Sequence, residues 1–116
     1  PLTTDFNSLH RIVTELLSNA GKFTPGGETI TVTTAATPSH LSLSVSNSGV
    51  EIPAAELGRV FDKFYRIPDH DPWRYGGTGL GLALVRQLVS HIQGTIQVTS
   101  RDRVTRFTLQ LPFNFP

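Results

Sequence analysis

Gly76-Gly77-Thr78-Gly79-Leu80-Gly81-Leu82 runs straight into ALVRQLVSHIQG, residues 83–94, and the rest of the chain is read outward from this junction. Leu80, Leu84, Val85, Leu88, Val89 and Ile92 recur at helical spacing, which predicts a helix over 79–92 with one apolar face. Gly94 is a natural stop for it. Glycines let a backbone come close to a ligand, and the free N–H groups and dipole of a first helical turn favour an anion such as phosphate. Taken alone, the segment reads either as a phosphate cradle or as a hinge before a helix. No Gly-Lys-Ser/Thr follows, so it is not a Walker A loop, and a charged loop rather than a strand precedes it, which argues against a dinucleotide fingerprint.

On either side the pattern is just as regular. Residues 95–100 and 104–111 read as two strands around a polar turn. Upstream, 66–76 holds Pro68, Pro72, Trp73 and several charges and reads as a loop. Pro53 to Leu57 suits a short helix with proline near its start. Residues 28–36 and 41–47 alternate as strands, joined hairpin-fashion by Thr37-Pro38-Ser39-His40. Asp5 to Asn19 reads as a helix, with Asp5 as N-cap, a stripe at Leu9, Ile12, Val13, Leu16, Leu17 and Ala20, and an end at Thr24-Pro25-Gly26-Gly27. Two long helices and paired strands predict an α+β two-layer sandwich, its mixed, mostly antiparallel sheet covered on one face by helices.

The chain has 116 residues, enough for one domain spanning 1–116. It is 38% hydrophobic and 16% charged with a formal net charge of +1, and it shows no basic run, so nothing points to nucleic acid. It has no cysteine, hence no disulfide, thiolate metal site or thiol nucleophile, which fits a cytoplasmic setting. No apolar run suits a membrane span, and the N-terminus does not resemble a signal peptide. Without an initiator Met the chain is expected to be a fragment of a longer protein.

Three further segments carry polar chemistry. Glu15 and Asn19 are four apart and share a helix face, and Lys22 adds a cation nearby. A carboxylate and an amide oxygen suit Mg²⁺ held together with phosphates, although a solvated Glu–Lys surface is the simpler reading of these residues in isolation. Asn47, in Ser46-Asn47-Ser48-Gly49-Val50-Glu51-Ile52-Pro53, stands at a strand end where a side chain can meet a base edge; the same residues also read as a plain turn. In Val60-Phe61-Asp62-Lys63-Phe64-Tyr65-Arg66 the aromatics read as anchors of a loop to the core.

In order and spacing these segments resemble the N, G1, F and G2 boxes of the ATP-binding catalytic domain of bacterial sensor histidine kinases, within the wider family of gyrase, chaperone and mismatch-repair ATPases. The resemblance runs over roughly residues 5–112. Asn19-Ala20-Gly21-Lys22-Phe23-Thr24-Pro25, Phe61-x-x-Phe64-x-Arg66 and Gly77-Thr78-Gly79-Leu80-Gly81-Leu82 carry it, and the middle box favours the kinase branch. It implies the Bergerat sandwich, with ATP and Mg²⁺ as cofactors. It also implies that Asn19 coordinates Mg²⁺ with help from Glu15, that Lys22 meets phosphate, and that Phe23 lies near adenine or ribose. Asn47 would stand where the family has an Asp that accepts from the adenine amino group. Gly49, Ile52, Phe64 and Arg66 would complete the nucleotide site, 66–76 would be a mobile lid, and Gly77, Thr78, Gly79, Leu80 and Gly81 would face the phosphates.

The resemblance further implies transfer of the γ-phosphoryl group to a histidine on a separate helical dimerisation domain, and from there to a response regulator. His10, His40, His70 and His91 lie in none of the boxes and read as surface or packing residues. The chain departs from the family's Asp-x-Gly-x-Gly twice, with Asn at 47 and Glu at 51. An amide keeps an acceptor but adds a donor, so adenine selectivity is expected to weaken. Glu51 is costly if that backbone position needs positive φ and harmless if the side chain faces water. Two other readings are a degenerate signalling module that no longer uses ATP and a hydrolysing ATPase of the same fold.

Overall fold

In a computed structural model, residues 4–23, 26–49, 51–62 and 81–113 are described. Helix α1 spans Phe6–Phe23. It begins where expected, because Asp5 caps it: the backbone N–H groups of Asn7 and Ser8 donate to Asp5 Oδ1 at 3.1 and 3.3 Å. It runs four residues beyond the expected end at Asn19, since nothing between Asn19 and the Thr24-Pro25 pair forbids helical geometry. Strand β1 covers Ile30–Ala36 and β2 His40–Ser48, with Thr37 N–H donating to the His40 carbonyl across their turn. A 3-10 helix, Ala54–Arg59, follows Pro53. Helix α2, Gly81–His91, is the described part of the second predicted helix, and β3, Thr95–Arg101, and β4, Val104–Pro112, form the second hairpin.

The strands make one four-stranded sheet in the order β1-β2-β4-β3, antiparallel at every described pairing. Register stacks the inward residues in rows across the sheet: Leu43 beside Leu109 and Ile96, then Val45 beside Phe107 and Val98. The next row is polar, with Asn47 beside Thr105 and Ser100. Helix α1 lies on β2 and α2 on β3, and the two helices pack against each other. Ile12, Leu16 and Ala20 of α1 meet Val85, Val89 and Ile92 over Val45, Phe107, Leu109 and Leu111. Burial of such side chains is worth about 1.5–3 kcal/mol each.

Two features differ from the periodic reading. Leu17 is 41% exposed, so the buried stripe of α1 is narrower than expected. β1 forms as a strand but is exposed along its length, including Ile30 and Val32. It is the edge strand of the sheet, and its main packing is against β2.

The second helix ends in a Schellman motif: Gly94 N–H donates to the Val89 carbonyl and Gln93 N–H to that of Ser90. The left-handed residue is Gln93, at φ 61°, and not Gly94. Gly94 is needed for a different reason. A Cβ there would come within 2.7 Å of the Gln110 carbonyl oxygen and 3.0 Å of Leu111 Cδ2.

Candidate functional site

In the second half of α1, Glu15, Asn19 and Lys22 follow one another along one side. Glu15 and Asn19 are half-buried and Lys22 is exposed in the last turn. Arg11 Nε donates to Glu15 Oε1 at 2.9 Å, one turn earlier on the helix. The other oxygen, Oε2, lies 2.7 Å from the point where a Cβ on Gly81 would begin. Glycine at 81 therefore lets the carboxylate of α1 touch the start of α2. The two segments that the sequence places more than sixty residues apart meet at this point.

Asn47 is 6% exposed, in the polar row that closes the core. Its neighbours across the sheet are linked to each other, Ser100 Oγ lying 2.8 Å from Thr105 Oγ1. Ser100 Oγ also accepts from the Ile52 N–H at 2.7 Å, and Ile52 is 2% exposed. The segment after β2 thus leaves the sheet at a buried Asn and returns to the core at a buried Ile.

Between them the chain turns at Gly49, whose φ is +86°. A side chain there would also collide with Glu28, whose Cγ would stand 2.6 Å from the new Cβ. Glu28 is occupied with the same turn, accepting from Ser48 Oγ at 2.7 Å, while the Thr29 N–H donates to that hydroxyl at 2.8 Å. Glu51, the second departure, follows this turn. Its exposed carboxylate accepts the Arg103 backbone N–H at 2.9 Å through Oε1.

Phe61 meets Phe107 edge-on, with centroids 5.9 Å apart and planes at 83°, and Val60 is buried beside it. These two contacts fit the reading of that segment as an anchor to the core. Phe64, Arg66, the loop 66–76 with Trp73, and Gly77, Thr78, Gly79 and Leu80 lie outside the described residues, as does the side chain of Phe23. Of the histidines, His40 Nδ1 pairs with Ser39 Oγ and His91 Nε2 lies 3.3 Å from Asp5 Oδ2. His70 lies outside the described residues.

Sequence reasoning passed over Glu28, Ser100, Thr105 and Arg103. None belongs to a recognisable motif, and each reaches the site through the pairing of distant strands. The donor set suits magnesium in its usual form, one carboxylate and one amide oxygen with phosphates and waters completing the shell. Among the described residues no three His, Cys, Asp or Glu side chains converge to hold a metal by themselves. No described helix is long and apolar enough to cross a membrane.

Comparison with known proteins gives the family and the fold. The family model described as "Histidine kinase-, DNA gyrase B-, and HSP90-like ATPase" matches residues 4–114. Sensor histidine kinase CusS of Escherichia coli strain K12 is 41% identical over 104 residues, which are 90% of this chain and 22% of CusS. The probable sensor histidine kinase TcrY of Mycobacterium tuberculosis is 39% identical over 110 residues, 95% of this chain and 23% of TcrY. The chain thus spans less than a quarter of the length of these relatives. Among solved structures, the mycobacterial sensor histidine kinase MprB superposes with a TM-score of 0.87 at 30% identity, covering 99% of this chain and 78% of that one. Full-length ShkA, in complex with AMPPNP, superposes with a TM-score of 0.78 at 25% identity over 94% of this chain and 22% of ShkA. With its site geometry and with a family model matched along nearly its whole length, the chain belongs to the histidine kinase-, DNA gyrase B- and HSP90-like ATPase family.

Proposed function

We propose that this chain is the catalytic domain of a sensor histidine kinase. It binds Mg-ATP and delivers the γ-phosphoryl group to a histidine on a separate dimerisation domain of its parent, which then serves a response regulator. The observation that carries the reading is the approach of Glu15 to Gly81, which sets a carboxylate of α1 beside the start of the described part of α2, with Asn19 one turn further along the same helix. The AMPPNP complex of ShkA supports an adenine nucleotide as the ligand.

In this reading Asn19 and Glu15 hold the metal, Lys22 neutralises phosphate charge, and the N–H groups at the start of α2 receive the phosphates. Magnesium would supply charge neutralisation on the phosphate oxygens. The acceptor imidazole nitrogen forms the new bond to phosphorus as the bond to the bridging oxygen breaks and ADP leaves. Such a transfer needs positioning and electrostatics more than covalent help from the protein. Glu15 then acts either on the metal or as the base that tunes the acceptor.

At the other end of the site Asn47 offers its side-chain carbonyl to the adenine amino group from a buried position. Loss of the charge that an Asp would carry weakens this bond by about 1 kcal/mol.

Calorimetric titration with ATP, ADP and GTP, with and without Mg²⁺, tests the proposal. Adenine nucleotides are expected to bind in the micromolar to submillimolar range, more tightly with Mg²⁺, with GTP excluded. A folded chain that binds none of them overturns it.

A further inference from the structure

The hairpin turn between β3 and β4 lies far from every sequence motif, yet it is tied to the turn that follows Asn47. Its two central residues, Asp102 and Arg103, have φ of 55° and 59°, the signature of a type I′ turn. Glycine is the favoured second residue of such a turn, and a side chain there is uncommon. Arg103 sits there and directs three groups at one target. Its N–H donates to Glu51 Oε1 at 2.9 Å, its carbonyl accepts the Gly49 N–H at 2.8 Å, and its Nη2 donates to the Gly49 carbonyl at 3.3 Å.

The stretch from Asn47 to Ile52 is anchored in the core at both ends. Glu28 and Ser48 hold it from the β1 side. On the β4 side the observed links are those of Arg103 and Glu51. A movement of Gly49 would therefore be passed directly to Asn47, two residues earlier on the strand.

We propose that Arg103 and Glu51 are positioning residues for base selectivity: they hold the turn at Gly49 so that the amide of Asn47 meets the base at a fixed height and angle. Glu51 has a task here, that of a tether to the second hairpin. The inference rests on the reading of Asn47 as the base-recognising residue of a nucleotide site.

The test compares ATP with ITP, which shares its sugar and phosphates but carries a keto oxygen in place of the amino group. Affinities and melting temperature are measured for the unsubstituted chain and for Arg103→Gly, Arg103→Lys, Glu51→Ala and Glu51→Gln. Arg103→Gly suits the positive φ, so the melting temperature is expected to hold or rise. ATP affinity is expected to fall about three- to tenfold, the scale of one side-chain hydrogen bond, with ITP affinity unchanged. Glu51→Ala should behave likewise, and Arg103→Lys and Glu51→Gln, which keep a donor and an acceptor, should recover most of the ATP preference. Unchanged ATP affinity in Arg103→Gly and Glu51→Ala, or equal losses for ATP and ITP, overturns the inference while leaving the nucleotide site standing. Absence of ATP binding by the unsubstituted chain overturns the nucleotide reading and this inference with it.

Discussion

Arg11 holds Glu15 by one oxygen only: Nε donates to Oε1 at 2.9 Å, and Oε2 is left facing Gly81. The pair is one helical turn apart and largely solvated on the Arg side, so it contributes only about 0.3–0.5 kcal/mol to stability. Its consequence is orientation. The carboxylate is turned toward the start of α2 before any ligand arrives.

Glu15→Gln preserves the shape and one acceptor but removes the charge. It is expected to reduce phosphotransfer to an added acceptor domain while leaving ATP affinity nearly intact. Single-turnover transfer measured beside calorimetry checks this. Equal losses in both would assign Glu15 to the metal rather than to the acceptor.

Gly81→Ala tests the contact from the other side. The new methyl would meet Glu15 Oε2 at 2.7 Å, and that oxygen, at the end of a flexible side chain, can swing away. Alanine's helix preference, about 1 kcal/mol over glycine, offsets the crowding. Thermal stability should therefore stay nearly constant while phosphotransfer to an added acceptor domain falls about tenfold, or about 1.4 kcal/mol. An unaltered transfer rate would show that the contact does not shape the site.

Gly94 and Gln93 should respond in opposite directions. Gly94→Ala drives a Cβ to 2.7 Å from the Gln110 carbonyl oxygen, where backbone cannot yield, and is expected to cost about 1–3 kcal/mol. Gln93→Gly relieves the φ of 61° and should stabilise by about 0.5 kcal/mol after glycine's entropy cost is counted. Denaturant titration of both variants distinguishes close approach from left-handed geometry as the reason for glycine.

Asp5 gives the fold an acid-sensitive corner. Its carboxyl is held below the ordinary value of 3.8, first by the Ser8 backbone N–H and then by the Ser8 hydroxyl, partial burial opposing, with further help from the His91 ring and the Asn7 N–H. A lowered folded pKa means the stabilisation is fully present above the ordinary value and is lost as pH falls through the folded one. Asp5→Asn keeps a capping acceptor without the charge. The melting-temperature gap between the two proteins should be constant near neutrality and close in acid below 3.8. A gap that persists there would remove the titration from the account.

Much of the fold was legible because its signals are local. Ile12, Leu16 and Ala20 share a helix face by spacing alone, Leu41, Leu43 and Val45 alternate as a strand must, and Asp5 is a cap by residue type. Gly77 to Leu82, with Asn19 to Pro25 and the Phe61, Phe64 and Arg66 pattern, carried the resemblance to the family through residue type and spacing. What required tertiary structure depends on which strands become neighbours. Periodicity made Ile30 and Val32 alternate as strand residues but could not say that both stay exposed on an edge strand. Gly94 is a helix stop in the sequence, and only the approach of Gln110 reveals why it must lack a side chain. Glu51 read as an anomaly in a familiar box. The pairing of β2 with β4 brings Arg103 to it across fifty-two positions, and no local pattern encodes a contact made at that distance.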